Sequence, residues 1–302
     1  SAQECDVPPL SEKALAVLQA ARESGGSDVF TTIPHGRGRP GGEYSNATFK
    51  WYITFRLQIE SVETHVPDGP DGERPTCPLV SSTDRPCGKE VSDEHMRRCR
   101  VGLNIPTWIH NVMLFNHWMP LLKRYFGGVE AEKRGLCQHS GMAPRKGAAP
   151  KASTKRPGDA WWAYHLATVL RGIDIGYTDP TSTNLRKSKK DGRTPVVRRP
   201  GWHVKRMEDG KLNHLQQIPP LRDGTPAQDV ITPVCCSITG GLGKLALGFF
   251  KVLAAIAHPG DDDDPETKAI RSLWINRQRK IHTCMLVHVV HDAVTRKRDS
   301  IH

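Results

Sequence analysis

The 302-residue sequence lacks any run of eighteen or more apolar residues, which excludes an ordinary membrane-spanning helix. Its first ten residues contain Glu4, Asp6 and two prolines, a start unlike that of a signal peptide. Hydrophobic residues make up only 37% of the chain, which also has 27 glycines and 23 prolines. We therefore expect a soluble, intracellular protein of one or two domains, with a sizeable core and many loops.

Acidic residues are scarce between Ser140 and Leu215, where sixteen Lys and Arg stand against six Asp and Glu. Most of the formal net charge of +11 therefore lies in this quarter of the chain. Such a stripe suits a polyanionic partner, DNA or RNA. The candidate phosphate-binding residues are Lys155, Arg156, Arg186, Lys187, Lys189 and Lys190. The alternative is a solvated loop, which we expect for residues 184–199 in any case.

Two aspartates are candidates for catalysis. Asp159 precedes a predicted strand at Ala160–Leu166, and Asp174 lies within a second one at Thr168–Thr178. A hairpin would bring the two carboxylates together, and among basic residues they would form a site for a divalent metal that activates water against a phosphodiester. Glu130 is a candidate third carboxylate, although an ordinary surface role is the alternative. The alternative for Asp159 is a turn residue, and for Asp174 a partner of a nearby arginine.

The cysteine pattern predicts a zinc site. The spacing is Cys77-x9-Cys87-x7-His95-x3-Cys99, and the last two residues fit one turn of a short helix. Three thiolates and one imidazole form a closed, tetrahedral zinc site of structural type. The x9 spacing is longer than in a usual zinc knuckle and requires residues 78–86 to fold back. Scattered reduced cysteines are the alternative.

Periodicity and turn residues predict a helical front, a finger and an α/β back half. The predicted domains are a helical segment at 1–75, a CCHC zinc finger at 76–104 and a nuclease domain at 105–302. The remaining predicted elements are helices at Ser11–Glu23, Asn46–Leu57, Thr107–Phe126 (bent at Pro120), Val204–Gln217, Leu242–Ala257 and Pro265–Thr295, and a strand at Gln228–Ile238. Residues 138–153 are predicted to be a linker. The glycines at 240–243 before Lys244 fail the phosphate-loop spacing, so we expect a strand-to-helix turn whose helix start is still able to touch phosphate.

Several short motifs occur in an order that resembles a known family. They include His110-Asn111, Arg156-Pro157-Gly158-Asp159, Gly172-Ile173-Asp174-Ile175, Glu208-x2-Lys211-x2-His214 and the stretch from Thr239 to Gly243. Together with the finger they make the chain, from about Gly25 to Val294, similar to the C-terminal region of site-specific non-LTR retrotransposon polyproteins. In that family a CCHC zinc finger precedes a restriction-like endonuclease.

The resemblance implies a nuclear DNA endonuclease that nicks the target for retrotransposon insertion. It implies an α/β fold in which a PD-(D/E)xK restriction-endonuclease-like mixed sheet is flanked by helices. Asp159 and Asp174 would hold catalytic Mg²⁺, Zn²⁺ would be structural, and no membrane would be involved. The chain starts at Ser1 rather than Met. That start indicates a fragment or a processed product, and the partner of a fragment would be the reverse transcriptase domain of the same polyprotein.

The sequence departs from this family at three points. Gly158 separates Pro157 from Asp159, Ile109 replaces a basic residue, and Gly176 stands where a lysine should follow Asp174 by two residues. The resemblance allows the catalytic lysine to lie on the following helix. Lys211 is the first choice and Lys205 the second. Two other functions stay open: a catalytically inactive, zinc-containing nucleic-acid-binding relic, and a ribonucleoprotein or protein-interaction component.

Overall fold

A computed structural model describes residues 45–57, 68, 70–81, 83–132, 136, 157–164, 167–180, 201–221 and 223–301. The predicted helix at Ser11–Glu23, the linker at 138–153 and the basic loop at 184–199 lie outside these residues. No helix within the described part combines the length and apolar character needed to cross a membrane.

The described chain is a mixed α/β structure. Its helices are α1 (Asn46–Leu57), α2 (Asp93–Arg98), α3 (Ile105–Met113), α4 (Met119–Tyr125), α5 (Trp202–Gln217), α6 (Ala227–Val230), α7 (Lys244–Ala257) and α8 (Pro265–Asp299), with one π-helical turn, π1 (Leu114–Trp118), joining α3 to α4. Its strands are β1 (Glu130–Ala131), β2 (Ala160–Tyr164), β3 (Ala167–Thr178) and β4 (Ile231–Ser237). The division into domains stays a prediction.

The four strands form one mixed sheet in the order β1-β2-β3-β4. Strands β2 and β3 form the predicted antiparallel hairpin, in which Ala160 lies opposite Ile173 and Trp161 opposite Gly172. Strand β4 runs parallel to β3, with Asp174 opposite Pro233. The strand alternation then decides which side chains of β3 enter which face of the sheet.

Each face of the sheet is covered by helices. On one face Ile173 and Ile175 pack with Trp118 and with Phe250 of α7. On the other face Trp161 packs with Leu215 at the end of α5. Asp174 alternates with the two isoleucines and so lies on the α5 side.

The finger shares its core with the rest of the chain. Cys77 and Cys99 belong to the same buried cluster as Trp51 of α1 and Val290 of α8. The fully buried Lys297 of α8 donates to the carbonyl oxygens of Val101 and Leu103, in the last residues of the finger. Helix α8 is therefore tied directly to the finger.

Most predicted elements are confirmed, and two are corrected. Helix α1 has the predicted bounds, and the hydroxyl of Ser45 caps it by accepting from the Thr48 amide at 3.1 Å. The helix predicted at Thr107–Phe126 is instead interrupted by π1 before Pro120. Proline lacks an amide proton and its ring clashes with the carbonyl four residues earlier, and a π turn accommodates both. The strand predicted at Gln228–Ile238 begins as helix α6 and becomes extended only at Ile231.

Because two histidines are buried, we predict that the free energy of unfolding falls in acid. The rings of His117 and His282 lie 4.8 Å apart, and burial lowers the pKa of His117 to about 4. Between pH 6.5 and 4 the unfolded chain therefore binds a proton that the folded chain refuses, so the free energy of unfolding falls as pH falls. His117 alone should contribute about 3 kcal/mol to this loss. In urea titrations at pH 7 and 4.5, His117→Phe should flatten the dependence and the exposed His214→Phe should leave it unchanged.

Candidate functional site

The four predicted zinc ligands converge on one point. One donor atom from each of Cys77, Cys87, His95 and Cys99 lies within 4.8 Å of the others. The Cys87 sulfur is 3.6 Å from Nε2 of His95 and 4.0 Å from the Cys99 sulfur. A tetrahedral zinc ion with Zn–S bonds of about 2.3 Å separates its donors by roughly 3.6–3.8 Å. The cluster is thus one that could hold a metal ion such as zinc.

A small β-hairpin explains how the long x9 spacing closes the site. The Cys77 amide donates to the Lys89 carbonyl at 2.8 Å, and the Cys87 amide donates to the Leu79 carbonyl at 2.8 Å. Gly88 follows Cys87 with a φ of +59°, a conformation that suits glycine. Residues 78–86 therefore fold back as the zinc hypothesis requires.

The thiols of the finger suit a cation. Burial raises the pKa of the Cys77 thiol to about 11, and the neighbouring Cys99 and Cys87 add to the effect. Burial also lowers the pKa of His95. A divalent metal ion offsets the cost of packing thiolates together, and it takes the imidazole in the neutral form that burial favours. The donor set therefore fits zinc chemically as well as geometrically.

Asp159 and Asp174 lie side by side at the start of the β2–β3 hairpin. The Asp159 amide donates to the Ile173 carbonyl at 2.7 Å, and its Oδ2 accepts from the Ile175 amide at 2.6 Å. Besides burial, the nearby charge of Asp159 raises the pKa of the Asp174 carboxyl group, so the two carboxyl groups lie close together. The sheet thus brings together the two aspartates that the sequence proposed.

Lys211 reaches this pair from α5. Its Nζ lies 2.5 Å from Oδ1 of Asp174, and only 22% of the lysine side chain is exposed. A Cβ at Gly176 would lie 2.7 Å from Cε of Lys211 and 2.6 Å from Sδ of Met207. Because residue 176 is glycine, the side chain of Lys211 has room to reach Asp174 from α5. Gly176 is also the strand position at which the lysine of the family motif is missing.

His110 of α3 is a third group at the site. Its Nε2 lies 3.3 Å from Oδ1 of Asp159. Burial lowers the pKa of His110, but the hydrogen bond and charge of Asp159 outweigh burial and raise this pKa above its ordinary value. The sequence identified His110 only as part of a family motif and gave it no role.

The two carboxyl groups hold protons unequally. Burial raises the pKa of Asp159, yet the hydrogen bond and charge of His110 and the Ile175 amide bring this pKa below its ordinary value. Burial also raises the pKa of Asp174. The nearby charge of Lys211 lowers this pKa but does not fully offset the effect of burial. Asp159 is therefore the carboxylate that stays ionised most firmly.

Two parts of a groove between the finger and α5 share Lys211, and Asp174 lines the second part. One part, of about 590 Å³, is lined by Arg98, Arg100, His110 and Lys211 among others. A second part, of about 610 Å³, shares Lys211 and is lined also by Arg206. Arg98, Arg100 and Arg206 thus line the groove that contains Lys211 and Asp174, and their positive charges suit a bound phosphodiester chain.

The other predicted site residues lie elsewhere. Glu130 is exposed on the edge strand β1, opposite Trp161. Lys205, the second choice for the catalytic lysine, is largely exposed and pairs with Asp209 at 2.8 Å. All six predicted phosphate-binding residues lie outside the described part of the chain: Lys155, Arg156, Arg186, Lys187, Lys189 and Lys190. The finger cluster is the one group of three or more metal donors among the described residues, so the donor set identifies no magnesium site.

Glu208 corrects one expectation about phosphate. Its Oε1 accepts from the Leu245 amide at 2.9 Å, in the first turn of α7. A carboxylate of the chain itself thus occupies the helix start that was expected to be able to touch phosphate. The glycine-rich stretch before α7 is a strand-to-helix turn, as predicted.

A buried ion pair was not predicted at all. Nε of Arg97 in α2 lies 3.2 Å from Oδ2 of Asp179, just after β3, and the two side chains are 3% and 10% exposed. The two residues are 82 positions apart in the sequence, and no periodic signal connects them.

We compared the chain with known proteins. No protein-family model, no curated protein and no solved structure matches it.

Proposed function

We propose that the chain is a metal-dependent DNA endonuclease of the restriction-like PD-(D/E)xK type with a structural zinc ion in its finger. The observation that carries the proposal is the approach of Lys211 to Asp174, beside Asp159, over the space left by Gly176. Two carboxylates and one lysine are the groups needed to bind a metal ion and to stabilise a phosphodiester during attack by water.

Two carboxylates are enough to hold magnesium. Mg²⁺ keeps several of its waters and binds through one or two carboxylates together with substrate phosphate. Asp159 and Asp174 are the residues that would hold it, and the exposed Glu130 is not needed. When bound, the ion would neutralise charge on the scissile phosphate and lower the pKa of a bound water.

The chain's own residues prepare the site. The Ile175 amide fixes one oxygen of Asp159 at 2.6 Å and His110 lies 3.3 Å from the other. The carboxylate is therefore oriented at both oxygens, which keeps it ionised and in place. Lys211 carries a positive charge at the partner aspartate, where it would orient the attacking water or hydrogen-bond a phosphate oxygen.

The substrate proposed is DNA held by its backbone. Arg98, Arg100 and Arg206 line the groove that Lys211 and Asp174 also line. Contacts of this kind fix the position of a strand without reading its sequence. By the family resemblance the product is a nick whose 3′ end primes reverse transcription in the nucleus, with the polymerase supplied by the same polyprotein.

A zinc-containing nucleic-acid-binding protein without nuclease activity is the second candidate. One observation favours it: Asp174 is already bonded to Lys211, and among the described residues the two aspartates belong to no cluster of three or more donors that could hold a metal ion. Such a protein would bind DNA in a salt-sensitive manner without Mg²⁺ and would leave the DNA intact.

The test is a plasmid-nicking assay with a matched pair of lysine variants. Wild-type protein should convert supercoiled plasmid to nicked circles in the presence of Mg²⁺. Lys211→Met should slow nicking by about 10²–10³-fold, because a charge placed at the reacting phosphate is lost. Lys205→Met, on the same helix but exposed, should nick at the wild-type rate. Wild-type protein that binds plasmid but never nicks it would instead support the second candidate.

A further inference from the structure

Helix α2 links the finger to the carboxylate cleft. Two of the zinc ligands flank Arg97: His95 lies within the helix and Cys99 directly after it. The side chain of Arg97 is buried rather than exposed. Any shift of the ligands must therefore move Arg97 as well.

The buried side chain of Arg97 contacts residues outside its own helix. Its Nε lies 3.2 Å from Oδ2 of Asp179, and its guanidinium stacks over the Phe55 ring at 4.4 Å from the centroid. The neighbouring Arg98 differs, because it pairs with Glu94 of its own helix and 32% of its side chain is exposed. Arg97 therefore joins α2 to a distant strand, whereas Arg98 does not.

Asp179 lies where it affects the cleft. It directly follows Thr178, the last residue of β3. Residues Gly172 to Thr178 of this strand pair in register with β4. Asp174 is five residues earlier on this strand. Asp179 also lies close enough to His203 of α5 to oppose the lowering of the His203 pKa by burial. The aspartate thus lies between the finger, the strand of Asp174 and the helix of Lys211.

We propose that the zinc-loaded finger is a positioning element of the cleft and that Arg97 is the positioning residue that transmits it. Metal binding at the four ligands holds α2, Arg97 holds Asp179, and the end of β3 keeps Asp174 beside Lys211. The inference rests on the proposed function for the meaning of the cleft. Its tests measure zinc and backbone exchange rather than nicking, so each proposal fails on different data.

The first test is hydrogen exchange with and without a zinc chelator. In zinc-loaded wild-type protein the peptide covering 172–180 should be protected. Chelation should speed its exchange on the order of ten-fold, the size of a typical coupling between two sites. Helix α7, on the opposite face of the sheet, should change little. Unchanged exchange at 172–180 after complete zinc removal would overturn the proposal.

The second test uses the reciprocity of coupling. If zinc orders Asp179, then Asp179 must strengthen zinc binding by the same factor. Asp179→Asn and Arg97→Met should each raise the zinc dissociation constant on the order of ten-fold in competition with a chromophoric chelator. Arg98→Met, the matched control on the same helix, should leave it unchanged.

A double variant guards against simple misfolding. Each single change leaves an uncompensated buried charge or acceptor, whereas Arg97→Met with Asp179→Asn removes both members of the pair. The double variant should therefore weaken zinc binding by less than the product of the two single effects. Independent, multiplicative effects, or wild-type zinc affinity in Asp179→Asn, would refute the role of Arg97.

Discussion

Replacing Asp174 by alanine should abolish nicking while leaving DNA binding intact. Asp174 would hold Mg²⁺ together with Asp159, and one carboxylate would not keep both the ion and Lys211 in place. We expect the single-turnover rate to fall on the order of 10³-fold or more, which corresponds to about 4 kcal/mol of barrier. Affinity for duplex DNA, measured by anisotropy, should be unchanged or slightly higher, because a negative charge facing the phosphates is gone.

Asp209→Asn is the matched control for this experiment. Asp209 lies on α5, as Lys211 does, but it is exposed and pairs with Lys205. Its loss should change neither nicking nor binding. If Asp174→Ala nicks at the wild-type rate, the carboxylate pair is not the catalytic site and the nuclease proposal fails at its centre.

The pairing of the two aspartates could be predicted because it depends on local structure. Asp159 directly precedes β2 and Asp174 lies in β3, and the antiparallel pairing of these consecutive strands places the two backbones side by side. The same holds for His95 and Cys99, which lie one helical turn apart. The helix at Asn46–Leu57 likewise followed from the periodicity of its apolar residues.

What the sequence did not predict depends on contacts between distant segments. His110 reaches Asp159 across 49 residues, and Arg97 reaches Asp179 across 82. Neither pair has a repeating pattern, because each side chain is placed by the packing of a whole helix on the sheet. The π turn at Leu114–Trp118 was missed for a different reason: Pro120 signals a break but not its position along the helix.

Loss of zinc should destabilise the core cluster that the finger shares with α1 and α8, and not the finger alone. Cys77 and Cys99 are 1% and 3% exposed, and they pack in the same cluster as Trp51 and Phe55 of α1. With free zinc about 1,000-fold above its dissociation constant, binding contributes roughly 4 kcal/mol to the free energy of unfolding. For a chain of this size that corresponds to a fall in Tm of about 10 °C when the ion is removed.

The measurement is thermal unfolding followed by circular dichroism, paired with elemental analysis. Wild-type protein should contain close to one zinc per chain, and Cys99→Ser should contain little and unfold about 10 °C lower. Added chelator should lower the Tm of the wild type to that of the variant, and it should not lower the Tm of the variant further. This equality separates metal loss from simple damage to packing, which would add to the effect of the chelator.

Cys284→Ala supplies the packing control. Cys284 is also buried, at 3% exposed, but it lies on α8 outside the metal cluster. Its loss should cost some stability through the cavity it leaves, while zinc content stays near one per chain and the chelator still lowers the Tm by about 10 °C. A wild-type Tm that does not respond to chelation, in protein shown to lose its zinc, would mean that the four ligands stabilise only themselves. The buried contacts that join Cys77 and Cys99 to α1 argue against that outcome, because a shared core unfolds as one unit.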